Sequence, residues 1–194
     1  MIKIATAECF TQGKIGRELH ALAQNYEGNF GNEYTKNFKE NCDFDYDNLS
    51  VTCSLFIPTI EAMKKILNVD PPKPDMLIKR IKVYDEKGDK IVSKIMAQAI
   101  KDLTDCDIAI GTTAGIGHGG ISIITDKYEI TTTTDVYADL CENDSEKLFQ
   151  RCENGIEKTL EILVLLLNNE INQIEFLKNV EIKKMNNINI RNYL

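Results

Sequence analysis

The chain has 194 residues, of which 43% are hydrophobic and 27% charged, as in an ordinary globular protein with room for one α/β domain. Its net charge of −7 argues against non-specific nucleic-acid binding and offers no basic surface to an anionic membrane. The longest apolar run is too short to span a bilayer, no secretory signal is visible, and the six scattered cysteines form no zinc-binding pattern. We therefore expect a cytoplasmic protein with reduced thiols.

The first half of the chain predicts alternating strands and helices. A buried strand at 2–6 precedes a helix whose apolar side chains recur at helical spacing: Ile15, Leu19, Leu22 and Tyr26. A second strand at 51–57 leads into a helix that Pro58 begins. Between these units, residues 27–48 show no periodicity, so this stretch is either functional or contains short elements.

After a non-helical connector at 70–74, the second half predicts further strands and two long helices. The alternating stretch LIKRIKVY at 77–84 predicts one strand, and EKGD at 86–89 predicts the turn after it. The helix that follows has an apolar stripe: Ile91, Val92, Ile95, Met96, Ala99, Ile100 and Leu103. Strands are then predicted at 107–111, 121–125 and 128–134. A long helix from Leu148 to Leu167 follows them.

This order of elements predicts a mixed α/β fold with a partly antiparallel sheet flanked by helices, because the middle strands connect directly to one another. Residues 1–167 are predicted to form a single catalytic domain. The composition then shifts towards Asn, Lys and Ile, so residues 168–194 are predicted to be a C-terminal appendage packed on or beside that domain.

The stretch GTTAGIGHGG at 111–120 places five glycines in ten residues. Its G-x-G-x-x-G pattern is not a dinucleotide fingerprint, because a β-branched strand follows it where that fingerprint requires a helix. Glycine permits positive φ and close approach, so successive amides could form a nest for an anion; the alternative is a wide surface hairpin. We predict nucleotide contacts from the amides and nearby hydroxyls: Gly111, Thr112, Thr113, Gly115, Gly117, Gly119, Gly120, Thr132 and Thr134.

The turn after the first strand predicts a second phosphate contact. Gly13 and Lys14 stand at a helix start, where unsatisfied N–H groups and a partial positive charge attract anions. An ordinary connection capped by Thr11 would explain the threonine but not a lysine in the first turn. We predict a catalytic role for Lys14 and nucleotide contacts for four neighbours: Thr6, Thr11, Gly13 and Gly16.

Four further side chains are candidates for proton transfer or metal binding. His118 could donate to a phosphate or move a proton as a catalytic residue; the alternative is a histidine that faces solvent. Glu8, Asp126 and Asp135 are candidate ligands for Mg²⁺, although carboxylates at strand ends are often only solvated.

Three stretches resemble the HcgB family, the guanylyltransferases in the biosynthesis of the iron-guanylylpyridinol (FeGP) cofactor of Fe-hydrogenase in methanogens. They are ATAECFTQGKIGRELH at 5–20, CSLFIPT at 53–59 and GTTAGIGHGGI at 111–121, and the resemblance covers residues 1–167. It implies a fold like that of inosine triphosphate pyrophosphatases and a homodimer with its sites near the subunit interface. It also implies transfer of GMP from GTP to a substituted pyridinol, giving guanylylpyridinol and pyrophosphate.

In the mechanism that this resemblance suggests, the pyridinol oxygen attacks the α-phosphorus of GTP while Mg²⁺ bridges the phosphates. Lys14, the helix start and the amides of the glycine loop would neutralise the developing charge. Two alternatives stay open at this point. Water could be the nucleophile, which would make the protein a nucleoside triphosphate pyrophosphatase, or the protein could bind nucleotides without turnover.

Overall fold

The computed structural model describes residues 1–26, 33–35, 44–142 and 144–185. The strands within these ranges are β1 (Ile2–Glu8), β2 (Leu49–Phe56), β3 (Met76–Ile78), β4 (Ile81–Val83), β5 (Ile108–Thr113), β6 (Ile116–Gly117), β7 (Gly120–Ile124), β8 (Tyr128–Thr132), β9 (Ala138–Asp139) and β10 (Glu181–Lys184). The α-helices are α1 (Lys14–Ala23), α2 (Ile60–Lys65), α3 (Glu86–Thr104), α4 (Ser145–Leu167) and α5 (Ile171–Ile174). Residues Tyr46–Asn48 form a short 3₁₀ turn.

A six-stranded mixed sheet with helices on both faces forms the centre of the molecule. The strand order is β10-β8-β7-β5-β1-β2. Strand β1 runs parallel to both β2 and β5, whereas β7, β8 and β10 are antiparallel to their neighbours. The predicted mixed α/β fold with a partly antiparallel sheet is therefore confirmed. The likeness to inosine triphosphate pyrophosphatases stays a prediction.

The side chains of β1 alternate between two separate hydrophobic clusters, as the period of a strand requires. Ile4 packs in one cluster with Leu160 of helix α4. Ala5 points to the other face and packs there with Met96 and Ile100 of helix α3. All five side chains are buried, and burying a large aliphatic side chain contributes about 1.5–3 kcal/mol. The sheet is thereby held between α1 and α4 on one face and α2 and α3 on the other.

Two predictions about local structure are wrong. LIKRIKVY is not one strand but the antiparallel pair β3 and β4, whose turn residues Lys79 and Arg80 have φ of 48° and 73°. A two-residue hairpin turn often requires positive φ at both positions. EKGD is not a turn but the start of helix α3, where the Asp85 carboxylate accepts a hydrogen bond from the Gly88 amide at 2.7 Å.

Helix α2 also begins later than expected. Thr59 is its N-cap, and its hydroxyl accepts a hydrogen bond from the Ala62 amide at 3.1 Å. Pro58 therefore stands before the cap and not at the first helical position. Its place between strand β2 and the cap matters for the site, because Pro58 lines a cavity described below.

The segment after residue 167 packs against the domain that precedes it. Strand β10 pairs antiparallel with β8 and places Ile182 opposite Ile130 at the edge of the sheet. Residues 186–194, and most of the aperiodic stretch 27–48 (27–32 and 36–43), lie outside the described residues. Among the helices that are described, none combines the length and the apolar character needed to cross a membrane.

Candidate functional site

A cavity of about 160 Å³ lies at the carboxyl ends of the three parallel strands. In open α/β sheets, ligands bind in the crevice outside the carboxyl ends of parallel strands. Each of these strands contributes lining residues at or just after its carboxyl end. They are Cys9, Phe10 and Gln12 after β1, Phe56 and Pro58 at the end of β2, and Ala114 after β5. The remaining lining residues are Ile81, Leu140, Leu148 and Arg151.

Cys9 places a free thiol on the wall of this cavity. It is the first residue after strand β1, and its amide donates a hydrogen bond to the Thr112 carbonyl oxygen at 2.9 Å. The residue is buried, with only 7% of its surface exposed. The sequence interpretation treated Cys9 as one more reduced thiol. The sequence feature that could have identified Cys9 is its position directly after the first buried strand of the chain.

Arg151 reaches the same cavity from helix α4 although it is 2% exposed. Its Nη1 atom donates to three carbonyl oxygens, those of Gly115 at 3.2 Å, Gly117 at 2.9 Å and Ala138 at 2.7 Å. The guanidinium carbon lies 6.0 Å from the centroid of the Phe10 ring. Burial lowers the pKa of Arg151, and the nearby Asp89 carboxylate opposes that change. These contacts hold a buried cation at a fixed place in the cavity wall.

Two more charged side chains are buried behind Arg151. Asp89 of helix α3 accepts a hydrogen bond from the Gly115 amide at 2.8 Å. Burial raises the pKa of Asp89 to about 7, against the effect of the Gly115 hydrogen bond and of the charges on Arg151 and Lys82. Lys82 is 1% exposed, and its Nζ donates to the Ile57 carbonyl oxygen at 2.8 Å. The sequence interpretation did not identify any of these three side chains.

The glycine loop is held closely against helix α3. A Cβ atom on Gly115 would lie 2.5 Å from the Tyr84 carbonyl oxygen, and one on Gly120 would lie 2.6 Å from the Lys90 amide nitrogen. Gly111 is equally constrained by the backbone of Ala97, at 2.6 Å. These glycines are therefore explained by close packing of backbone on backbone.

Two amides of this loop donate to carboxylates of the protein itself. The Gly115 amide is bonded to Asp89, and the amide of His118 donates to Glu86 Oε2 at 3.4 Å. Gly117 and Gly119 have φ of 116° and 73°, so these two positions do require glycine for their conformation. Strand pairing places Thr113 opposite Gly120 in the ladder of β5 and β7.

The predicted threonine contacts are buried and mostly bonded within the protein. Thr112 Oγ1 lies 2.8 Å from Thr11 Oγ1, and Thr134 Oγ1 donates to the His118 carbonyl oxygen at 2.8 Å. Thr132 Oγ1 is 3.4 Å from the Thr133 carbonyl oxygen. Thr113 Oγ1 is buried without a hydrogen-bond partner among the described residues. Their contact with a nucleotide stays a prediction.

The start of helix α1 is occupied by a carboxylate from strand β1. Gly13 is the N-cap, with φ of 81°, and as a glycine it has no side chain to cap the helix. The Glu8 carboxylate accepts hydrogen bonds from the amides of Ile15 at 3.2 Å and Gly16 at 2.9 Å, and from the hydroxyls of Thr6 and Thr11 at 2.8 Å each. Burial raises the pKa of Glu8, and these hydrogen bonds oppose that change.

Lys14 and His118, the two predicted catalytic residues, have different partners. Lys14 Nζ lies 3.6 Å from Glu153 Oε1 and 5.4 Å from the centroid of the Phe149 ring. His118 Nδ1 lies 2.6 Å from Glu86 Oε2. His118 also lines a second, more polar cavity of about 350 Å³, at the junction of helix α3 with the segment before β10. Their catalytic roles stay predictions.

The three carboxylates predicted to bind Mg²⁺ do not form one site. Glu8 is fully buried and bonded as described above. Asp126 pairs with Lys101 at 2.9 Å, and Asp135 lies between two lysine ammonium groups, 3.6 Å from Lys158 and 3.3 Å from Lys178. Across the described ranges, no group of three or more His, Cys, Asp or Glu side chains could hold a metal ion. Each carboxylate is thus bonded to protein donors in a different place, and binding of Mg²⁺ by any of them stays a prediction.

The chain is similar to one family and to several proteins of methanogens. The model of the family described as FeGP cofactor biosynthesis protein HcgF matches residues 1–167. A UPF0254 protein of Methanothermobacter thermautotrophicus strain Winter is 42% identical over 164 residues, which are 84% of this chain and 94% of that protein. A UPF0254 protein of Methanococcus maripaludis strain S2 is 38% identical over 172 residues, 89% and 99% of the two chains. A third relative, from Methanococcus aeolicus, is 42% identical over 172 residues, 88% and 98%.

Proposed function

Since the chain belongs to the HcgF family of FeGP cofactor biosynthesis proteins, we propose that it binds a pyridinol-bearing precursor of that cofactor in the cavity lined by Cys9. The observation that carries this proposal is the position of the cavity at the carboxyl ends of β1, β2 and β5, with a thiol on its wall.

The sequence motifs correctly indicated a role in FeGP cofactor biosynthesis, but the family inferred from them was wrong. The family is HcgF, not HcgB. The guanylyltransferase activity and the GTP substrate came with the HcgB resemblance, so they now need support of their own.

The lining of the cavity suits a substituted aromatic ring. Phe10 and Phe56 contribute aromatic surface, and Pro58 and Leu148 contribute aliphatic surface. Small-molecule sites are typically apolar with a few polar groups that fix the orientation of the ligand. Here the polar groups come from Cys9, Gln12 and Arg151. A pyridinol ring, flat and largely apolar with polar substituents, matches this distribution.

We further propose that the Cys9 sulfur is the reactive group of the site. A thiolate is a strong nucleophile, and acyl transfer to cysteine is one of its common reactions. Sγ would form a bond to an activated carbonyl carbon of the ligand, the bond from that carbon to its leaving group would break, and the thiol proton would depart with that group. The product is a thioester between Cys9 and the ligand.

Binding is tested by the rate at which iodoacetamide alkylates individual cysteines, followed by peptide mass spectrometry. Guanylylpyridinol should slow the alkylation of Cys9 and leave that of Cys141 unchanged, because Cys141 is exposed and lies outside the cavity. An equal rate for Cys9 with and without guanylylpyridinol would remove the cavity as its site.

The reaction is tested with an activated ester, the p-nitrophenyl ester of 6-hydroxypyridine-2-carboxylic acid. Intact-protein mass spectrometry should show one acyl group that neutral hydroxylamine releases, and the Cys9→Ser variant should lack it. The Cys141→Ser variant is the matched control and should be acylated like the unmodified chain. Acylation that persists in Cys9→Ser would contradict the role of this thiol.

Guanylyl transfer from GTP with Mg²⁺ in a homodimer stays a prediction, as does hydrolysis of GTP. The groups predicted to hold phosphate, the start of helix α1 and Lys14, have partners within the protein. The Glu8 carboxylate accepts a hydrogen bond from the helix start, and Lys14 pairs with Glu153. Incubation with GTP, Mg²⁺ and a pyridinol, scored for a GMP adduct by mass spectrometry, tests the transfer. Release of GMP and pyrophosphate from GTP alone would favour the hydrolase, and normal adduct formation by Lys14→Ala would exclude a catalytic Lys14.

A further inference from the structure

We propose that Arg151 binds an oxyanion of the ligand, a carboxylate or phosphoryl group, through its Nη2 amino group inside the cavity lined by Cys9. This inference rests on the proposed function, because it concerns the same cavity. It adds the chemical class of the group that the ligand must present to Arg151.

Among the described residues, the hydrogen bonds of Arg151 use one of its three guanidinium nitrogens. A guanidinium has five N–H donors and no acceptor, and it keeps its charge in proteins. Nη1 donates to three backbone carbonyl oxygens. Within the described part of the chain, the hydrogen bonds of the guanidinium are those from Nη1, and Nε is buried without a partner. A buried charged donor without an acceptor is costly, so an acceptor brought by the ligand would stabilise this arrangement.

The charges around the cavity also favour an anion. Arg151 and Lys82 are both more than nine-tenths buried, and Asp89 is the buried carboxylate that interacts with both. Asp139 also interacts with Arg151 but is only partly buried, so the fully buried part of this group has two cations and one carboxylate. Because a buried charge requires compensation, a negatively charged group on the ligand complements this part of the wall.

The guanidinium is also positioned before a ligand arrives. The three carbonyl oxygens bonded to Nη1 come from the residue before β6, from the last residue of β6 and from β9, so they fix the plane of the group. The Phe10 ring lies 6.0 Å from its central carbon and belongs to the same cavity wall. Arginine held in this way recognises carboxylate and phosphoryl oxygens with directional hydrogen bonds, which a flexible lysine would not reproduce.

The test compares two probes that differ in charge, 6-hydroxypyridine-2-carboxylate and its neutral carboxamide, by isothermal titration calorimetry at low ionic strength. The carboxylate should bind more tightly by about tenfold or more, as expected for a charge-assisted hydrogen bond in a buried site. GMP serves as the phosphoryl probe. Displacement of the carboxylate by GMP would assign the subsite to phosphoryl oxygens as well, and its failure to do so would restrict the subsite to carboxylates.

Three variants decide the role of Arg151. Arg151→Gln should lose the preference for the carboxylate, whereas Lys147→Gln, which removes an exposed charge from the same helix, should keep it. Asp89→Asn should bind the carboxylate more tightly, because it removes the competing negative charge while Arg151 stays in place. This second variant decides the question if circular dichroism shows that Arg151→Gln does not fold.

Equal affinity for carboxylate and carboxamide, or no binding of either, would overturn the inference. An unchanged preference in folded Arg151→Gln, or in Asp89→Asn if Arg151→Gln is unfolded, would do the same. None of these results affects the slower alkylation of Cys9 by which the proposed function is judged, so the two failures can be told apart.

Discussion

The Glu8 carboxylate accepts a hydrogen bond from the Gly16 amide at 2.9 Å, which joins the end of strand β1 to the first turn of helix α1. Helix starts carry free N–H groups and a partial positive charge, and here a side chain of the protein satisfies them. The next residue, Cys9, lies at the carboxyl end of β1, and its amide donates a hydrogen bond to the Thr112 carbonyl oxygen. Glu8 thus has a structural part in the site beside it.

We expect Glu8→Gln to destabilise the protein by about 1–3 kcal/mol, because a glutamine brings N–H groups to positions where Thr11 and Ile15 already donate. The free energy of unfolding from urea titration measures this loss. Glu146→Gln in the exposed first turn of helix α4 is the matched control, with an expected change below about 0.5 kcal/mol. A similar midpoint for both variants would show that the Glu8 hydrogen bonds contribute little.

The fold was largely predictable because its elements are long or strongly patterned. The apolar stripe that includes Val92, Met96 and Ile100 corresponds to helix α3, and the β-branched stretches at 121–125 and 128–134 correspond to β7 and β8. The hairpin at Lys79 and Arg80 was not predictable from composition, because neither residue favours positive φ and tertiary packing imposes it.

The site was less predictable, because its residues come from distant parts of the chain. The glycines suggested a ligand, yet Gly111 and Gly115 are required where the loop packs on other backbone. Arg151 lies 36 positions from Gly115, which is one of the three residues whose carbonyl oxygens it binds, and no local motif joins the two. One signal was present: Leu148, Arg151 and Cys152 share a helical face, which placed an arginine on an apolar stripe.

Asp89 should make the protein less stable as the pH rises from about 4 to about 7. Its pKa is about 7 in the folded protein against 3.8 for an ordinary aspartate, so the folded state holds a proton that the unfolded state has lost. The free energy of unfolding then decreases by at most about 1.4 kcal/mol per pH unit in this window.

The measurement is urea unfolding at several pH values for the unmodified chain and for Asp89→Asn. The asparagine cannot ionise, so the variant should gain stability relative to the unmodified chain as the pH rises. A constant difference between Asp89→Asn and the unmodified chain across this pH range would mean that Asp89 ionises normally.

Gly111→Ala should destabilise the protein strongly, by roughly 1–3 kcal/mol or more, because an added methyl group would meet the backbone of helix α3. Neither the strand nor the helix can move without breaking other contacts in the cluster around Met96 and Ala109. Thermal unfolding followed by circular dichroism measures the effect.

Gly13→Ala separates crowding from backbone strain. A Cβ at Gly13 would meet no atom within 4 Å, but its φ of 81° disfavours alanine by about 1–2 kcal/mol. Gly13→Asn should recover part of that loss, since asparagine tolerates this conformation, whereas Gly111→Asn should not. Recovery at both positions would argue against a steric cause at Gly111.

The pair of His118 and Glu86 should be visible as a shifted carboxylate titration. The hydrogen bond from His118 Nδ1 is the main reason why the pKa of Glu86 lies below its ordinary value of 4.5. His118→Leu should therefore raise the pKa of Glu86 towards 4.5, because leucine has no side-chain hydrogen-bond donor. The stability that the pair contributes is present above that ordinary value and is lost as the pH falls through the lowered one.

Titration of the Glu86 side-chain carboxyl carbon by NMR measures this shift directly. Tyr137→Phe is the matched control: the Tyr137 ring meets His118 edge-on at 5.8 Å between centroids, and phenylalanine keeps that ring. The control should leave the pKa of Glu86 unchanged. If His118→Leu also leaves it unchanged, the 2.6 Å contact does not hold the carboxylate in solution, and His118 is then free to turn towards the second cavity.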